Sequence, residues 1–416
     1  MHEPGSIAVV GAGVIGAAVA CALAREGRSV VLIDRSEPGV AGASYGNAGH
    51  IATEVVEPLP SPALLFGFWR QLVAFGGPLD IPLRRLPAFA PWAARFATAA
   101  FNRRAHTAQL APLVKAAAIT LEHWLKEMHR SELLRRRGHY ELWLNGRAQK
   151  EADAHARAMD RLAVRTLAAP ADLLRTVQTA AHARSVGGLW FPDSAYVVDP
   201  LELVRAFVGS AVERGAKIVR ADVAVVRPAT AGVEVVAEAQ SIAVSAAVIC
   251  AGVWSTRLLA PLGLKAPLES VRGYHIEIPG GAPFADAPLV YSNEHVIVTP
   301  MAGRLRASSY MEFLPPEAPG DGRKPYRLRQ KLRALGYACD PQGPSWVGAR
   351  PALPDYLPGI GSAAGANIFY AIGHQHIGVT LAAVTGELIA DLVARREPRR
   401  AIGAFDLVRF GTSTGQ

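Results

Sequence analysis

Near the N-terminus, Val9-Val10-Gly11-Ala12-Gly13-Val14-Ile15-Gly16 closes an apolar run and leads into the small apolar stretch Ala17 to Ala24. This pattern restricts the fold more than any other in the chain, because each glycine meets a different steric demand of one strand, turn and helix. Ile7 to Val10 reads as a buried parallel strand. Gly11 permits the tight turn, Gly13 lets the backbone approach a pyrophosphate, and Gly16 lets the helix pack closely on the strand. Unpaired N–H groups at the start of the helix, around Val14 and Ile15, then face the phosphates. The spacing predicts a dinucleotide site on an α/β sheet.

A glycine triplet also occurs as a packing turn in unrelated sheets, so the context decides. Ser29 to Ile33 supplies a second apolar strand, and Asp34, followed by Arg35, stands at its C-terminal end, where a carboxylate can accept both ribose hydroxyls. Unmodified hydroxyls suit FAD or NAD and disfavour NADP, whose extra phosphate would face a like charge. Spacing does not separate FAD from NAD.

The 416 residues, 50% hydrophobic and 19% charged, suit a globular enzyme of two or three domains. Cys21, Cys250 and Cys339 form no C-x-x-C pair and have no histidine ligand nearby. Neither a disulfide framework nor a metal is expected, and a reducing, cytoplasmic setting is. A strand starting at Ile7 leaves no room for a cleavable signal, and no uninterrupted apolar 20-mer suggests a spanning helix. The net charge of +9 favours anionic substrates or a membrane surface. No nucleic-acid motif accompanies it, and Arg135, Arg136 and Arg137 read as a solvated turn. Leu64 to Phe101, with Phe66, Phe68, Trp69, Phe75, Trp92 and Phe101 among Arg70, Arg84, Arg85 and Arg95, allows two readings. One is a helical excursion packed into the core. The other is a basic amphipathic surface resting on anionic lipid, which would hold the protein peripherally on the inner face of the cytoplasmic membrane.

Punctuation along the chain predicts a dinucleotide-binding domain assembled from residues 1–55, 151–269 and 347–416. A helix-rich insertion at 56–150 and a sheet at 270–346 form a second, mixed-sheet α+β domain that walls the reacting group. Within this plan His106 to Leu133 is helical, Gly138 to Leu144 extended, and Leu201 to Arg214 a helix capped by Asp199 with Pro200 at its start. Ala243 to Cys250 reads as one strand ending at the small Ala251-Gly252. Phe369 to Ile372 followed by a glycine-rich turn and a helix from about Thr380 repeats the strand-glycine-helix unit.

Five motifs occur in order over essentially the full chain: the N-terminal glycines; Ser44-Tyr45-Gly46-Asn47-Ala48-Gly49; Val271-Arg272-Gly273-Tyr274; Gly348-Ala349-Arg350-Pro351 with Pro354-Asp355 and Pro358; and Gly373-His374-Gln375-His376-Ile377-Gly378. Their succession resembles the FAD-dependent D-amino acid dehydrogenases, a branch of the amine and amino acid oxidoreductases that includes glycine and sarcosine oxidases. The resemblance implies a glycine oxidase or D-amino acid oxidase-like architecture with a Rossmann-like FAD domain. It selects FAD over NAD and implies hydride transfer from an amino acid α-carbon to flavin N5. The imine then hydrolyses or stays cyclic, and electrons pass to a quinone or other carrier.

By the same resemblance, Ser44, Asn47, Ala48, Gly49 and His50 pass beside the flavin, as do Val223, Ala251, Gly252, Trp254 and Gly348. The Gly373–Gly378 turn, with His374, Gln375, His376, Ile377 and the nearby Thr380, aims backbone donors at the side of the ring where negative charge accumulates. Arg350 is expected to grip the substrate carboxylate with both nitrogens, the alternative being a salt bridge to Asp355. Tyr274 either donates to the same carboxylate or is a sheet residue, and Arg272 braces the strand. His50 and His374 complete the catalytic candidates. Residue type alone does not make either of them, or His376, a general base, and ring packing beside the flavin is the competing role.

Two departures from the family pattern bear on substrate. Asp34 stands where glutamate is commoner, and Gln375-His376 is bulkier and more polar than the small residues usual in that turn. The second suits a compact or hydroxylated substrate such as D-proline or cis-4-hydroxy-D-proline. A broad D-amino acid dehydrogenase, a glycine or sarcosine-type oxidase using oxygen, and a flavin-binding partner subunit without turnover are the alternatives. The number of copies in the assembly has no sequence signal.

Overall fold

The computed structural model describes residues 5–238 and 240–411. Ile7–Val10 lies inside a six-stranded sheet ordered Lys217–Arg220, Val30–Asp34, Ile7–Val10, Ala246–Ile249, Ile368–Ile372 and Gly359–Ser362. The first five strands are parallel and the last is antiparallel. Alternate residues feed two separate cores, which is why these strands read as continuous apolar runs. Val9 and Leu32 face the helices Val14–Arg25, Pro200–Val212 and Gly378–Val393, with Arg103–Glu127 packed behind them. Val10 and Ile33 face an antiparallel sheet of Val223–Ala229, Gly232–Ala237 and Gln240–Val244.

Several expected elements form with altered ends. Asp199 accepts from Leu201 N–H at 2.9 Å and starts Pro200–Val212. Its other oxygen accepts from Arg304 Nη2 at 2.9 Å, tying this helix to the second sheet. The single strand expected over Ala243 to Cys250 divides at Ser245, whose N–H and hydroxyl both reach Ser6 O, at 2.9 and 2.7 Å. Among the described residues, Gln375–Val393 is the one helical stretch long and apolar enough to cross a bilayer. It is packed between Val14–Arg25 and Arg103–Glu127, so its apolarity serves the core.

The second layer is a nine-stranded mixed sheet. Its path runs Ser345–Ala352, Glu269–Pro279, Arg304–Phe313, Val296–Met301, Leu289–Tyr291, His139–Trp143, Gly187–Phe191 and Leu167–Ala168, with Leu79–Asp80 beside Arg304–Phe313. Three of these strands depart from the division read from sequence, two by joining the other sheet and one by straddling a boundary. Leu167–Ala168 and Gly187–Phe191, expected in the dinucleotide domain, pair here because Gly187 and Gly188 admit Ala148 and Leu142 where a Cβ would clash. Ser345–Ala352 likewise straddles the boundary at 346, since its whole length pairs with Glu269–Pro279.

The excursion at 62–101 forms Pro62–Phe66, Phe68–Gln71 and Leu86–Phe101. Its inner face packs Phe89 and Trp92 on Val271, Phe313 and Tyr356, and Trp92 Nε1 donates to Ala352 O at 3.2 Å. Its outer face leaves Phe66 83% and Leu83 83% exposed.

Candidate functional site

The C-terminal ends of the parallel strands, where ligands of open α/β sheets bind, border a cleft of about 1080 Å³ including its mouth. Gly11 turns beneath it at φ +103°, and a Cβ there would lie 2.5 Å from Cys250 O. Neither Val14–Arg25 nor Gly378–Val393 has a side-chain cap from its N-cap residue or an acid in its first turn, so both starts favour an anion. Val14 N–H meets Ser44 Oγ at 2.9 Å. Asp34 accepts from Ala12 N–H at 2.7 Å and Ser36 N–H at 2.9 Å, and its carboxylate retains acceptor capacity toward the cleft it lines. The Arg35 guanidinium lies 4.1 Å above the Trp254 ring, giving that end a flat wall. A floor without Cβ atoms, two helix starts and a carboxylate at the ribose position fit FAD.

Gly11, Gly13, Val14, Ile15, Asp34, Arg35, Ser44, Asn47, Val223, Ala251, Gly252, Trp254, Gly373, His374, Gln375 and Gly378 all line this cleft, as expected. Others among the expected contacts support it from behind. A Cβ on Gly16 would lie 1.8 Å from Gly11 O, and one on Gly49 would lie 2.5 Å from Val197 O. Thr380 is buried and accepts from Ala52 N–H at 3.1 Å, while Ile377 belongs to the helical core. Gly348 is explained by the ring of Trp346, which a Cβ would enter. Ala48 is half-buried on the Ser44–Gly49 loop. Ala41, Gly42, Ala43, Asp222 and Arg257 join the lining without having been read from sequence. The first three lie in what reads as a plain glycine-rich connection, and the Arg257–Asp222 pair at 2.5 Å has no local signature.

Arg350 sits on the neighbouring wall, half-buried, its guanidinium directly over Gly273. The alternative salt bridge to Asp355 does not form, because Asp355 is taken by Arg409 at 2.6 Å. The hydrogen bond recorded for Arg350 runs from Nη1 to Tyr310 O at 3.3 Å, and burial pushes its pKa down. A half-buried guanidinium without a carboxylate partner among the described residues is poised for an anionic ligand. Tyr310, Tyr356 and Gln375 hold left-handed φ values of +69°, +58° and +44°, a strained geometry clustered at this end of the cleft. Tyr356 is packed close enough for its phenol and the Arg350 guanidinium to interact.

Tyr274 does not face the cleft, which corrects its candidacy as a substrate donor. Strand side chains alternate, so if Gly273 meets Arg350 its neighbour must point to the opposite face. There Tyr274 donates to Glu312 at 2.8 Å and accepts from Arg272 at 2.9 Å and Asp321 N–H at 3.0 Å. Arg272 and Lys324 pair with Glu312 in the same buried network, at 2.8 and 2.6 Å.

The histidines divide. His376 is exposed, its ring centroid 6.3 Å from that of Tyr356, and its surroundings with the nearby Arg350 charge push its pKa down. His50 does not line the cleft; it sits beside His139 and Glu54, with ring centroids 4.4 Å apart for the two histidines. Burial, then the charge of His376, lowers His50 to about 3, and burial raises Glu54 to about 8. His374 is not placed as a catalytic group, because its Nε2 is engaged by Thr385 Oγ1 at 3.0 Å inside the helix Gly378–Val393.

Burial lowers His374 from 6.5 to about 3, so the folded chain refuses a proton that the unfolded chain accepts. Its stabilising contribution is complete above pH ~6.5 and is lost as pH falls toward 3, by up to ~1.4 kcal/mol per pH unit. Melting temperatures measured from neutral to mildly acidic pH should therefore fall less steeply for His374→Asn than for the wild type. Parallel curves would contradict this assignment.

Residues 6–392 match the DAO family, described as FAD dependent oxidoreductase. The D-amino-acid oxidase of Bradyrhizobium diazoefficiens is 32% identical over 425 residues, covering 99% of this chain and 100% of that protein. D-amino acid dehydrogenase 2 of Pseudomonas aeruginosa is 30% identical over 417 residues, covering 94% and 95%. Glycine oxidase from Geobacillus kaustophilus shares the fold, with a TM-score of 0.75 at 21% identity over 98% of this chain and 99% of that one.

Proposed function

The chain belongs to the DAO family of FAD dependent oxidoreductases, and from that membership we propose that it oxidises a small D-amino acid, favouring D-proline or cis-4-hydroxy-D-proline. The observation that carries this reading is Arg350, a half-buried guanidinium between the cleft-lining Ala349 and Pro351, with no acidic partner among the described residues. Bound FAD supplies the hydride acceptor.

The chain's own part is placement. Arg350 grips the substrate carboxylate, and the Tyr356 hydroxyl takes the second contact first expected of Tyr274. That anchorage presents the α C–H bond to the cofactor side of the cleft and removes rotational freedom before reaction. His376 stays neutral at working pH, so it offers a hydrogen bond without repelling the substrate ammonium. With Gln375, buried beside it with Nε2 unpaired, it makes the far wall polar and close, which suits a compact ring carrying a hydroxyl. The imine product hydrolyses in water or, from proline, remains cyclic.

Mixing the holoenzyme anaerobically with D-proline, cis-4-hydroxy-D-proline, D-alanine and their L-isomers should bleach the flavin fastest with the first two. No bleaching by any of them would overturn the reading. The B. diazoefficiens relative is named an oxidase, so oxygen is the competing acceptor. Stoichiometric hydrogen peroxide on readmitting air would select it.

A quinone is the acceptor favoured by the surface. Among the described residues, every exposed Phe and Trp side chain lies between Phe66 and Phe101. Arg70, Arg84 and Arg104 project from the same region, and its one acid, Asp80, is taken by Lys324 at 2.6 Å. Exposed aromatic rings mixed with unopposed arginines fit an anionic bilayer. On the inner face of this excursion Phe96 meets Tyr356, with ring centroids 5.8 Å apart, so lipid contact would bring the cleft near a membrane quinone. Holoenzyme should co-sediment with phosphatidylglycerol vesicles and not with phosphatidylcholine. Trp69→Ser with Phe66→Ser should abolish this without changing anaerobic bleaching. Equal sedimentation with both lipids, or none, would remove the membrane from the account.

A further inference from the structure

Three side chains from two stretches remote in sequence converge. His50 lies on the short strand His50–Ile51, Glu54 follows four residues later, and His139 opens the strand His139–Trp143. One ligand atom of each lies within 4.8 Å of the other two. Glu54 Oε1 is 3.5 Å from His50 Nε2 and 3.9 Å from His139 Nε2.

Hydrogen bonding fixes what these atoms present. Ser194 Oγ donates to Phe191 O at 3.1 Å, so toward His139 Nδ1, 2.8 Å away, it accepts. His139 is thereby protonated on Nδ1, and its Nε2 turns a lone pair toward the Glu54 carboxylate. At 3.9 Å no hydrogen bond joins that nitrogen to the Glu54 carboxyl. His50 Nε2 and Glu54 Oε2 are also buried without a hydrogen-bond partner, and Glu54 pairs with no Lys or Arg among the described residues. A cation between the three would engage atoms that otherwise have no partner. A shared proton needs a separation below about 3 Å. Ligand atoms placed 2.0–2.2 Å around a zinc-sized ion are about 3.4 Å apart, close to the 3.5 Å found and reached from 3.9 Å by a small closure.

The geometry points to a site for one divalent transition-metal cation, held by His50, Glu54 and His139. Two imidazoles and one carboxylate suit zinc and the neighbouring first-row ions. The Ser194 contact and the stacking of His139 on Phe191, 4.5 Å apart and 13° from parallel, orient that ligand as second partners of metal histidines do. The sequence gives no warning, because the third ligand is remote and no compact ligand motif exists. By contrast, the Asp80, Glu312 and Asp321 cluster already holds the Lys324 ammonium, at 2.6, 2.6 and 3.3 Å. Three protein ligands leave a fourth position for water.

The test uses holoenzyme stripped with a chelator and dialysed, then titrated calorimetrically with zinc chloride, and in parallel with cobalt(II) followed by its visible d–d absorption. One equivalent should bind with micromolar or tighter affinity, with cobalt bands showing imidazole ligation. Glu54→Gln and His139→Gln should each weaken binding at least ~30-fold while retaining the flavin spectrum. Glu54→Gln is nearly isosteric and guards against a loss caused by misfolding at buried His139. Absence of saturable one-equivalent binding, or binding unchanged in both variants, would overturn the site. Metal binding is read without substrate, so its failure leaves the flavin-bleaching result standing, and the converse also holds.

Discussion

Arg350→Met should lower kcat/KM for a D-amino acid by about 30- to 5,000-fold while the purified protein keeps its FAD. Truncating one partner of a buried, hydrogen-bonded charge pair costs roughly 2–5 kcal/mol, which converts to that range. The loss should fall chiefly on KM, because the carboxylate is held alike before and during hydride transfer. Arg350→Lys should recover only part, since an ammonium cannot reproduce the planar two-nitrogen grip. Gly273→Ala offers a second route to the same phenotype. Its Cβ would stand 2.1 Å from Arg350 Nη2 and must displace the guanidinium, with no direct contact to the dinucleotide cleft. Steady-state kinetics with an artificial acceptor, together with the ratio of flavin to protein absorbance, separate the outcomes. A proportional loss of flavin would make Arg350 structural, and unchanged kinetics would remove it from the site.

Gly16→Val should give protein that carries little or no flavin and is destabilised by ~4 kcal/mol or more. A Cβ at this position would lie 1.8 Å from Gly11 O and 2.9 Å from Gly11 C. The obstruction is backbone and cannot swing aside. Gly11 is itself pinned, with its N–H donating to Ile33 O at 2.8 Å and φ at +103°. The helix would have to lift from the strand, and the phosphate-facing donors would move with it. Gly27→Ala provides the control. That glycine has φ +75° with nothing within 4 Å of a built Cβ, so substitution should cost only about 1 kcal/mol and leave flavin content intact. Thermal melting and flavin content measure both effects. A flavin-replete Gly16→Val protein would mean that this turn is not where the dinucleotide sits.

The half of the molecule that answers to these glycines was legible because its demands are local. Gly11, Gly16 and Asp34 each meet a requirement set within a few residues, or at the end of the next strand. The substrate wall is different. Tyr274 and Gly273 are adjacent on one strand, and which of them faces Arg350 depends on the parity with which that strand meets Ser345–Ala352. Nothing local marks Tyr356, which reaches the site through a left-handed backbone at φ +58°. Gly187–Phe191 was misplaced for the same reason, since its partner His139–Trp143 lies far away in sequence. His139 becomes a neighbour of His50 and Glu54 only when the sheets assemble.

The chain alternates between its two main sheets, and strands from early, middle and late segments complete each. Asp199 shows the interleaving at one carboxylate, starting a helix of the first layer and holding Arg304 of the second. Neither layer corresponds to a contiguous stretch of gene. A nuclease cut, a fusion or a recombination crossover placed mid-chain would leave both parts incomplete, so cofactor cradle and substrate wall must be inherited together as one indivisible unit.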